Sequence, residues 1–364
     1  MKKALIYPVI KDVISLLRHH NMLRNYDKIY GICLTSESRP EDISFIDNGK
    51  EIGIQCTDDL GYILDVVDDI FFTEALTGDY VNEYFLPVYE KCKSGEKSIG
   101  FLFPVEAALE IKIKELCRVK SMQYISIKEE YCITKSNRLL DINTPVIFVC
   151  GTAKDTDKFE LQLIIRQMLT QDSYNVSQVG TKYFSNLFGF HAIPDFIFNN
   201  EISEDEKIIE FNNFIKTIEE DEKPDIILIG IPGGIVKNIE WYTQEFAVIA
   251  DVIATAVKPD YVFLCIYEND YSSVYLEELI PKLNARYDFE VNQIAASNSY
   301  FDFVKTKENG MKEILKLPFR LVNEKCLKKE EIESAGVFSI YEEFNITYRK
   351  MIQKLSEYAE CNKI

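Results

Sequence analysis

Short apolar runs alternate with amphipathic stretches along the whole chain. Near the start, residues 4–7 and 29–34 are apolar runs of strand length. Residues 12–23 between them carry apolar side chains at helical spacing. Proteins built from parallel sheets and crossover helices show this alternation. The pattern therefore predicts an α/β fold.

The rest of the first half repeats this alternation. We expect strands over 52–56, 69–73, 98–103 and 125–127, with helices over 60–64, 80–92 and 104–119. Residues 128–144 are polar and weakly periodic, so they are interpreted as a connection with a domain boundary near residue 140. The predicted first domain is a Rossmann-like parallel sheet over 1–140. The turn after its first strand reads Pro8-Val9-Ile10-Lys11 and has no G-x-G-x-x-G, so the usual dinucleotide site is not expected.

The second half, residues 141–364, follows the same alternation without a readable repeat. Its expected strands lie over 146–151, 174–179, 225–230, 261–267 and 291–295. Helices are expected over 161–169, 204–219, 243–255, 273–287 and 340–358, with a loop-rich section over 185–195. This half is predicted to form a second α/β domain that ends in a C-terminal helix.

Composition narrows the class of protein. A chain of 364 residues is long enough for two domains, and 47% hydrophobic residues supply two cores. The net charge of −18 argues against nucleic acid or an anionic membrane as the main partner. Nine cysteines without a C-x₂-C pair predict no metal site and a reducing, cytoplasmic setting. No signal peptide or membrane span is expected from the apolar runs.

The most informative segment begins where the strand over 146–151 ends. Gly151 and Thr152 open a short polar loop, Lys158 closes it, and an apolar helix follows. Phosphate-binding loops have this layout, because their backbone N–H groups and lysine surround an anion at a helix N-terminus. Gly151, Thr152 and Lys158 are therefore candidate nucleotide or anion ligands. An ordinary strand-to-helix turn with a solvated lysine is the alternative.

Two residues spoil the phosphate-loop pattern. Asp157 precedes the lysine where glycine is usual, and its carboxylate would repel a phosphate. Phe159 follows the lysine where a Ser or Thr hydroxyl would hold Mg²⁺. The second domain is therefore predicted to be a P-loop-like sheet with a degenerate phosphate loop, residues 151–160. A nucleotide with Mg²⁺ is the one cofactor it suggests, and hydrolysis would need Asp155 or Glu160 as a substitute metal ligand.

Two further segments carry candidate binding residues. The strand over 225–230 runs into Gly230-Ile-Pro-Gly233-Gly234, where a nucleotide hydrolase would carry an acidic metal-supporting residue. Gly233 and Gly234 should reach the same sheet edge as Gly151 and permit close approach to a ligand. In the loop-rich section, His191 and Asp195 are candidate substrate-binding residues, although a packed structural histidine is the simpler interpretation. The catalytic residues are not identified by the sequence.

The segments GTAKDTDKFELQL, FGFHAIPDF and DIILIGIPGGI resemble the peptide maturation system proteins. These are encoded in bacterial clusters that make ribosomally synthesised, modified peptides. The resemblance covers most of the chain and implies an accessory role in peptide natural-product biosynthesis. Its implied partners are the precursor peptide and a radical-SAM maturation enzyme. A more distant likeness to P-loop NTPase-like domains that follow a Rossmann-like domain implies the alternative, an ATP- or GTP-dependent enzyme that activates a peptide or small molecule.

Overall fold

The computed structural model describes most of the chain, in the ranges 2–33, 55–56, 60–73, 81–93, 95, 97–127, 131, 136–236, 244–269, 273–310, 312–328, 336–341 and 344–361. Contacts divide the chain into two compact units. The first contains Met1–Glu130 and Lys182–Ala192, and the second contains Tyr131–Thr181 and Ile193–Ile364. The predicted connection over 128–144 lies partly outside the described residues. Among the described helices, none is long and apolar enough to cross a membrane.

The first unit contains a six-stranded parallel sheet. Its strands are Lys2–Tyr7 (β1), Tyr26–Gly31 (β2), Gln55–Cys56 (β3), Asp69–Phe72 (β4), Ser98–Phe101 (β5) and Gln123–Ile125 (β6). They run in the order β3-β2-β1-β4-β5-β6, which is the strand order of the doubly wound dinucleotide-binding fold. The predicted Rossmann-like sheet is confirmed.

Helices and an aromatic core complete the first unit. The helices are Ile14–Arg18 (α1), Leu60–Val66 (α2), Leu86–Lys91 (α3) and Ala107–Val119 (α4), with short 3₁₀ or π turns at Lys11–Val13, His20–Met22 and Val81–Phe85. Phe72 stacks on Phe101 with ring centroids 5.4 Å apart, and both are buried. Burial of such rings supplies much of the driving force for folding.

The prediction of a single helix over 12–23 is wrong. The segment forms two 3₁₀ turns around the five-residue α1. No side chain caps the start of the first turn at Ile10, and the ring of His20 lies 3.0 Å from the Leu17 carbonyl at the other end. An uncapped short segment gains little from helix propagation, so the pattern of apolar positions overestimates its length.

The remaining strands follow along the chain. They are Val146–Gly151 (β7), Val176–Gly180 (β8), His191–Ala192 (β9), Ile226–Gly230 (β10), Tyr261–Ile266 (β11), Gln293–Ala296 (β12), Ser299–Phe301 (β13), Ile314–Lys316 (β14) and Val337–Ser339 (β15). Six strands of the second unit run parallel in the order β15-β12-β11-β7-β10-β8. The second parallel sheet that the sequence predicts is present.

Helices cover both faces of this sheet. The helices described in this unit include Lys158–Gln171 (α5), Glu204–Glu222 (α6), Val248–Ala256 (α7), Ser273–Tyr287 (α8), Phe303–Asn309 (α9), Phe319–Lys328 (α10) and Asn345–Cys361 (α11). Helices α6, α7 and α8 share one apolar cluster with Phe148 and Cys150 of β7, whereas α5 and α11 share another with Ile147 and Val149. Because alternate residues of a strand face opposite sides, these are the two faces of the sheet.

An antiparallel hairpin follows β12 and has no counterpart in the sequence prediction. Strand β13 pairs with β14, with Tyr300 opposite Leu315, and α9 lies between the two strands. Each strand has only three residues, which is too short for an alternating apolar pattern to be recognised. This hairpin, residues 299–316, carries side chains of the candidate site.

Candidate functional site

The candidate site lies at the carboxyl ends of β7 and β11. These strands are neighbours, and the chain leaves them toward helices on opposite faces of the sheet, α5 after β7 and α8 after β11. In open α/β sheets such a switch point is the usual place for a ligand. Gly151, Thr152 and Lys158 all belong to the loop that leaves β7.

Hydrogen bonds hold the loop to the neighbouring strand β11 and to itself. The N–H of Thr152 donates to the Cys265 carbonyl of β11 at 2.9 Å, and the Thr156 hydroxyl donates to the Ala153 carbonyl within the loop at 3.0 Å. A Cβ at Gly151 would lie 2.1 Å from the Thr156 hydroxyl oxygen. Glycine is therefore required here by close packing within the loop.

Lys158 is the first residue of α5 and is 3% exposed. Its Nζ donates to the carbonyl oxygens of Ala153, at 2.6 Å, and Lys154, at 2.9 Å. The lysine of a phosphate loop reaches toward the phosphates of its ligand. Here the ammonium group is directed at the backbone of its own loop, so it fixes the loop's shape.

Asp157 stands between the loop and the helix in a left-handed conformation, with φ 56° and ψ 28°. One carboxylate oxygen is paired with the ammonium of Lys316, and the other accepts from the Ser299 hydroxyl at 3.3 Å. The Lys316 Nζ also donates to the Ser299 hydroxyl oxygen at 2.7 Å and to the Asn298 amide oxygen at 3.2 Å. The hairpin thus supplies the counterion for the residue that departs from the phosphate-loop pattern.

A second ion pair and an aromatic contact hold the same hairpin to the loop. Lys312 is paired with Asp155, and its ammonium lies 5.8 Å from the centre of the Tyr267 ring. Tyr267 stacks on Phe301, with centroids 5.7 Å apart, and Ala153 belongs to the same buried cluster. The loop is therefore covered by the inward-facing side of the hairpin.

The residues present do not fit a magnesium–nucleotide complex. Phe159 is buried at the position of the magnesium-binding hydroxyl. At the end of β10, a Cβ on Gly230 would lie 2.3 Å from the Gln162 amide oxygen and 2.5 Å from the Thr181 methyl. The space for a metal-supporting carboxylate is thus filled by these two side chains.

The two carboxylates that the sequence suggests as substitute magnesium ligands, Asp155 and Glu160, do not provide a metal site either. Asp155 is engaged by Lys312, and Glu160 is buried on α5. Within the described ranges, no group of three or more His, Cys, Asp or Glu side chains is arranged to hold a metal.

The loop that contains Gly233 and Gly234 reaches the edge at which Gly151 lies. The N–H of Ile235 donates to the Gly151 carbonyl at 2.9 Å, and the Tyr287 hydroxyl donates to the Ile235 carbonyl at 2.6 Å. Gly233 has φ +71°, and no atom lies within 4 Å of the place where its Cβ would be. The structure therefore brings Gly233 and Gly234 to the same edge as Gly151.

His191 and Asp195 lie away from this loop in the sequence and fall in different compact units. His191 is half-buried in the two-residue strand β9 of the first unit, and Asp195 is exposed at the start of the 3₁₀ turn Asp195–Phe198 of the second. Their role in binding a substrate stays a prediction.

Buried cysteines line the strands below the loop. Burial raises the pKa of the Cys150 thiol to about 12, against a smaller opposing effect of Lys158, and it raises the pKa of Cys265 as well. Both groups are therefore protonated thiols at neutral pH. They act as small apolar side chains of the sheet and not as nucleophiles.

Sequence reasoning missed the hairpin side chains Ser299, Lys312 and Lys316. The available signal was the polar run Ser297-Asn298-Ser299 directly after β12, at the edge where parallel strands end. Asn298 and Ser299 are almost fully buried, which a polar run in an ordinary exposed turn would not be.

No protein-family model matches the chain, and no curated protein sequence matches it. Among solved structures, a DUF1611 family protein from Anabaena variabilis is similar over 85% of this chain and 91% of its own, with 12% identity and a TM-score of 0.59. At this identity the likeness shows the fold alone. An imine reductase from Myxococcus stipitatus in complex with NADP⁺ matches 34% of this chain and 39% of its own, with 14% identity and a TM-score of 0.27, which is too low to support an argument.

Proposed function

We propose that this protein is an accessory factor in the maturation of a ribosomally synthesised, modified peptide. It would bind the precursor peptide or the radical-SAM enzyme that modifies it, in the cytoplasm. The resemblance of the three segments that include GTAKDTDKFELQL supports the peptide part of this proposal. The hydrogen bonds within the loop 151–158 support the accessory role, because they favour a binding protein over a magnesium-dependent nucleotide hydrolase.

The accessory role, as opposed to nucleotide hydrolysis, is supported most directly by the hydrogen bonds of Lys158. To meet a phosphate, its ammonium would have to leave the carbonyl oxygens of Ala153 and Lys154. Hydrogen bonds from a charged donor are worth about 1.5–3 kcal/mol each, and a buried carbonyl left without a donor adds to the penalty. The incoming anion would also approach Asp155 and Asp157. These two effects oppose phosphate binding together.

The charge of the chain is compatible with a peptide partner. A net charge of −18 attracts basic segments and repels polyanions at long range. The nucleotide would therefore meet an unfavourable field before it reached the loop, whereas a basic peptide segment would be attracted.

The proposal is tested by titrating the purified full chain with the unmodified precursor peptide and, separately, with the radical-SAM enzyme of the gene cluster that the proposal implies. Saturable binding of either partner is expected. The variant Lys158→Met should bind with unchanged affinity once it is shown to be folded, because Lys158 acts within the loop. Absence of binding to both partners would refute the accessory role.

A nucleotide-dependent enzyme is the second candidate, and one observation favours it. Gly151 and Lys158 occupy the switch-point edge where doubly wound sheets hold their ligands. Under this alternative, a peptide or small molecule would be activated with ATP or GTP, and Lys158→Met should abolish turnover. Loss of activity together with intact partner binding would select the enzyme over the accessory protein.

A further inference from the structure

We infer that the hairpin 299–316 is a latch that closes the loop 152–158 against anions, with Asp157 as the built-in anion that holds it shut. This inference goes beyond the proposed function, because it concerns why the loop excludes phosphate and not which partner the protein binds. It is carried by the contacts between the hairpin and the loop.

The first contact is the polar cluster around Asp157. Its carboxylate is paired with Lys316 and accepts from Ser299, and the side chains of Asp157 and Lys316 are only 15% and 18% exposed. Lys316 in turn donates to Ser299 and Asn298, which are almost fully buried. An ammonium group and a hydroxyl therefore converge on a carboxylate, the set of donors that proteins also direct at phosphate oxygens.

The second contact repeats the arrangement two residues earlier in the loop. Lys312 is paired with Asp155, and the two side chains are 21% and 33% exposed. Between the two ion pairs, Phe301 of the hairpin packs on Tyr267, and both belong to a buried cluster with Ala153. The loop and the hairpin are thus joined by two ion pairs on either side of an apolar contact.

The charges within this assembly cancel in pairs. Asp155 and Asp157 match Lys312 and Lys316, and Lys158 is directed at the loop carbonyls. An arriving phosphate would have to compete with carboxylates that are already in place. Removing the Asp157 carboxylate would leave Lys316 and Lys158 without that competition, close to a helix N-terminus that favours anions.

The backbone at Asp157 makes this removal a clean experiment. Its φ of 56° lies in the left-handed region, which glycine adopts more readily than other residues. Asp157→Gly should therefore keep the path of the loop while it removes the charge. Asp288 offers a matched control, because it also has a positive φ, of 52°, and is paired with a lysine, Lys258, at an exposed position.

The test is calorimetric titration of the full chain with sodium tripolyphosphate, without Mg²⁺ and at low ionic strength. Asp157→Gly should bind at least about tenfold more tightly than the natural sequence, since a like charge close to the anion has been removed. Asp288→Gly, which changes the net charge equally, should not gain. Adding Lys316→Met to Asp157→Gly should cancel the gain.

Asp157→Asn keeps the inference testable if the glycine variant is unstable, because the amide oxygen can still accept from Ser299 without carrying charge. It should show a smaller gain in tripolyphosphate affinity. Equal affinity in the natural sequence and both Asp157 variants would overturn the latch, as would an equal gain in Asp288→Gly. Neither result would change the partner titrations that test the proposed function.

Discussion

The two units carry the same kind of doubly wound sheet but close its ligand edge in different ways. In the first unit the strand order reverses between β1 and β4, and there the Thr73 hydroxyl donates to the Pro8 carbonyl at 2.6 Å while the Val9 N–H donates to the Ile32 carbonyl at 2.7 Å. Thr73 and Val9 are each 1% exposed. These contacts, between described residues at this edge, are made by neutral backbone and hydroxyl groups.

In the second unit the corresponding edge lies between β7 and β11 and is filled by charged groups. Lys158, Asp155 and Asp157 come from the loop, and Lys312 and Lys316 come from the hairpin. The two strand orders differ, but in both sheets the first strand of the unit lies beside the fourth, which provides a comparable position at the ligand edge. The side chains decide whether charge is present there. Among the described residues, the edge of the second unit carries the components of an anion site, and they are engaged with one another.

The largest effect is expected from crowding the charged edge. Gly151→Ala places a Cβ 2.1 Å from the Thr156 hydroxyl oxygen and should lower the free energy of unfolding by about 3 kcal/mol. Gly233→Ala, in the neighbouring loop with open space around it, should cost only about 1 kcal/mol because of its positive φ. Chemical denaturation measures both. Equal losses would show that the loop is not tightly packed on Gly151.

Removing the buried ammonium should have the next largest effect. Lys158→Met keeps the length of the side chain but deletes two charge-assisted hydrogen bonds, so a loss of about 2 kcal/mol is expected. Lys154→Met is the matched control, because Lys154 is exposed in the same loop and its replacement should change stability by less than about 0.5 kcal/mol. If the two variants unfold at the same denaturant concentration, Lys158 does not fix the loop.

The ion pair between the loop and the hairpin should contribute less. Lys316→Met leaves the Asp157 carboxylate largely buried without its cation, and we expect a loss of about 1.5 kcal/mol. In the double variant with Asp157→Asn part of this loss should be recovered, which a double-mutant cycle measures. Lys258→Met, which breaks an exposed pair with Asp288, should leave the melting temperature unchanged. If the losses of stability in the two single variants simply add in the double variant, Lys316 and Asp157 are not energetically coupled.

The smallest effect is expected at the neutral edge of the first unit. Thr73→Val removes the hydroxyl that donates to the Pro8 carbonyl and should cost about 1 kcal/mol, with no dependence on salt concentration. The loss of stability in Lys316→Met should, by contrast, become slightly smaller as salt is added, because it depends on an ion pair that is largely but not fully buried. Salt-dependent destabilisation by Thr73→Val would contradict the distinction between the two edges.

Much of the fold could be predicted from the sequence, because the long apolar strands carry the signal. The runs over 146–151 and 261–267 form neighbouring buried strands, as predicted. The turn Pro8-Val9-Ile10-Lys11, which has no glycine, is held by hydrogen bonds of its backbone at Pro8 and Val9. The similar fold of the DUF1611 protein agrees with the two-domain α/β prediction. The pattern failed where segments are short, as in the broken helix over 12–23.

Only the loop residues of the candidate site could be predicted from the sequence, and the hairpin residues could not. Gly151, Lys158 and the two departures, Asp157 and Phe159, are adjacent in sequence and could be identified there. Their partners Lys312 and Lys316 lie more than 150 residues away, so no local pattern joins them to the loop. Sequence analysis therefore identified the carboxylate that opposes phosphate, but it could not show that a hairpin neutralises it.

The central claim is that the loop of the second unit is held closed by its own side chains. Calorimetric titration of the natural full chain with ATP and with GTP, each with and without Mg²⁺, tests it most directly. The account predicts no binding of either nucleotide under any of these conditions. Micromolar binding that is lost in Lys158→Met would contradict it, and would establish a functional phosphate site in spite of Asp157.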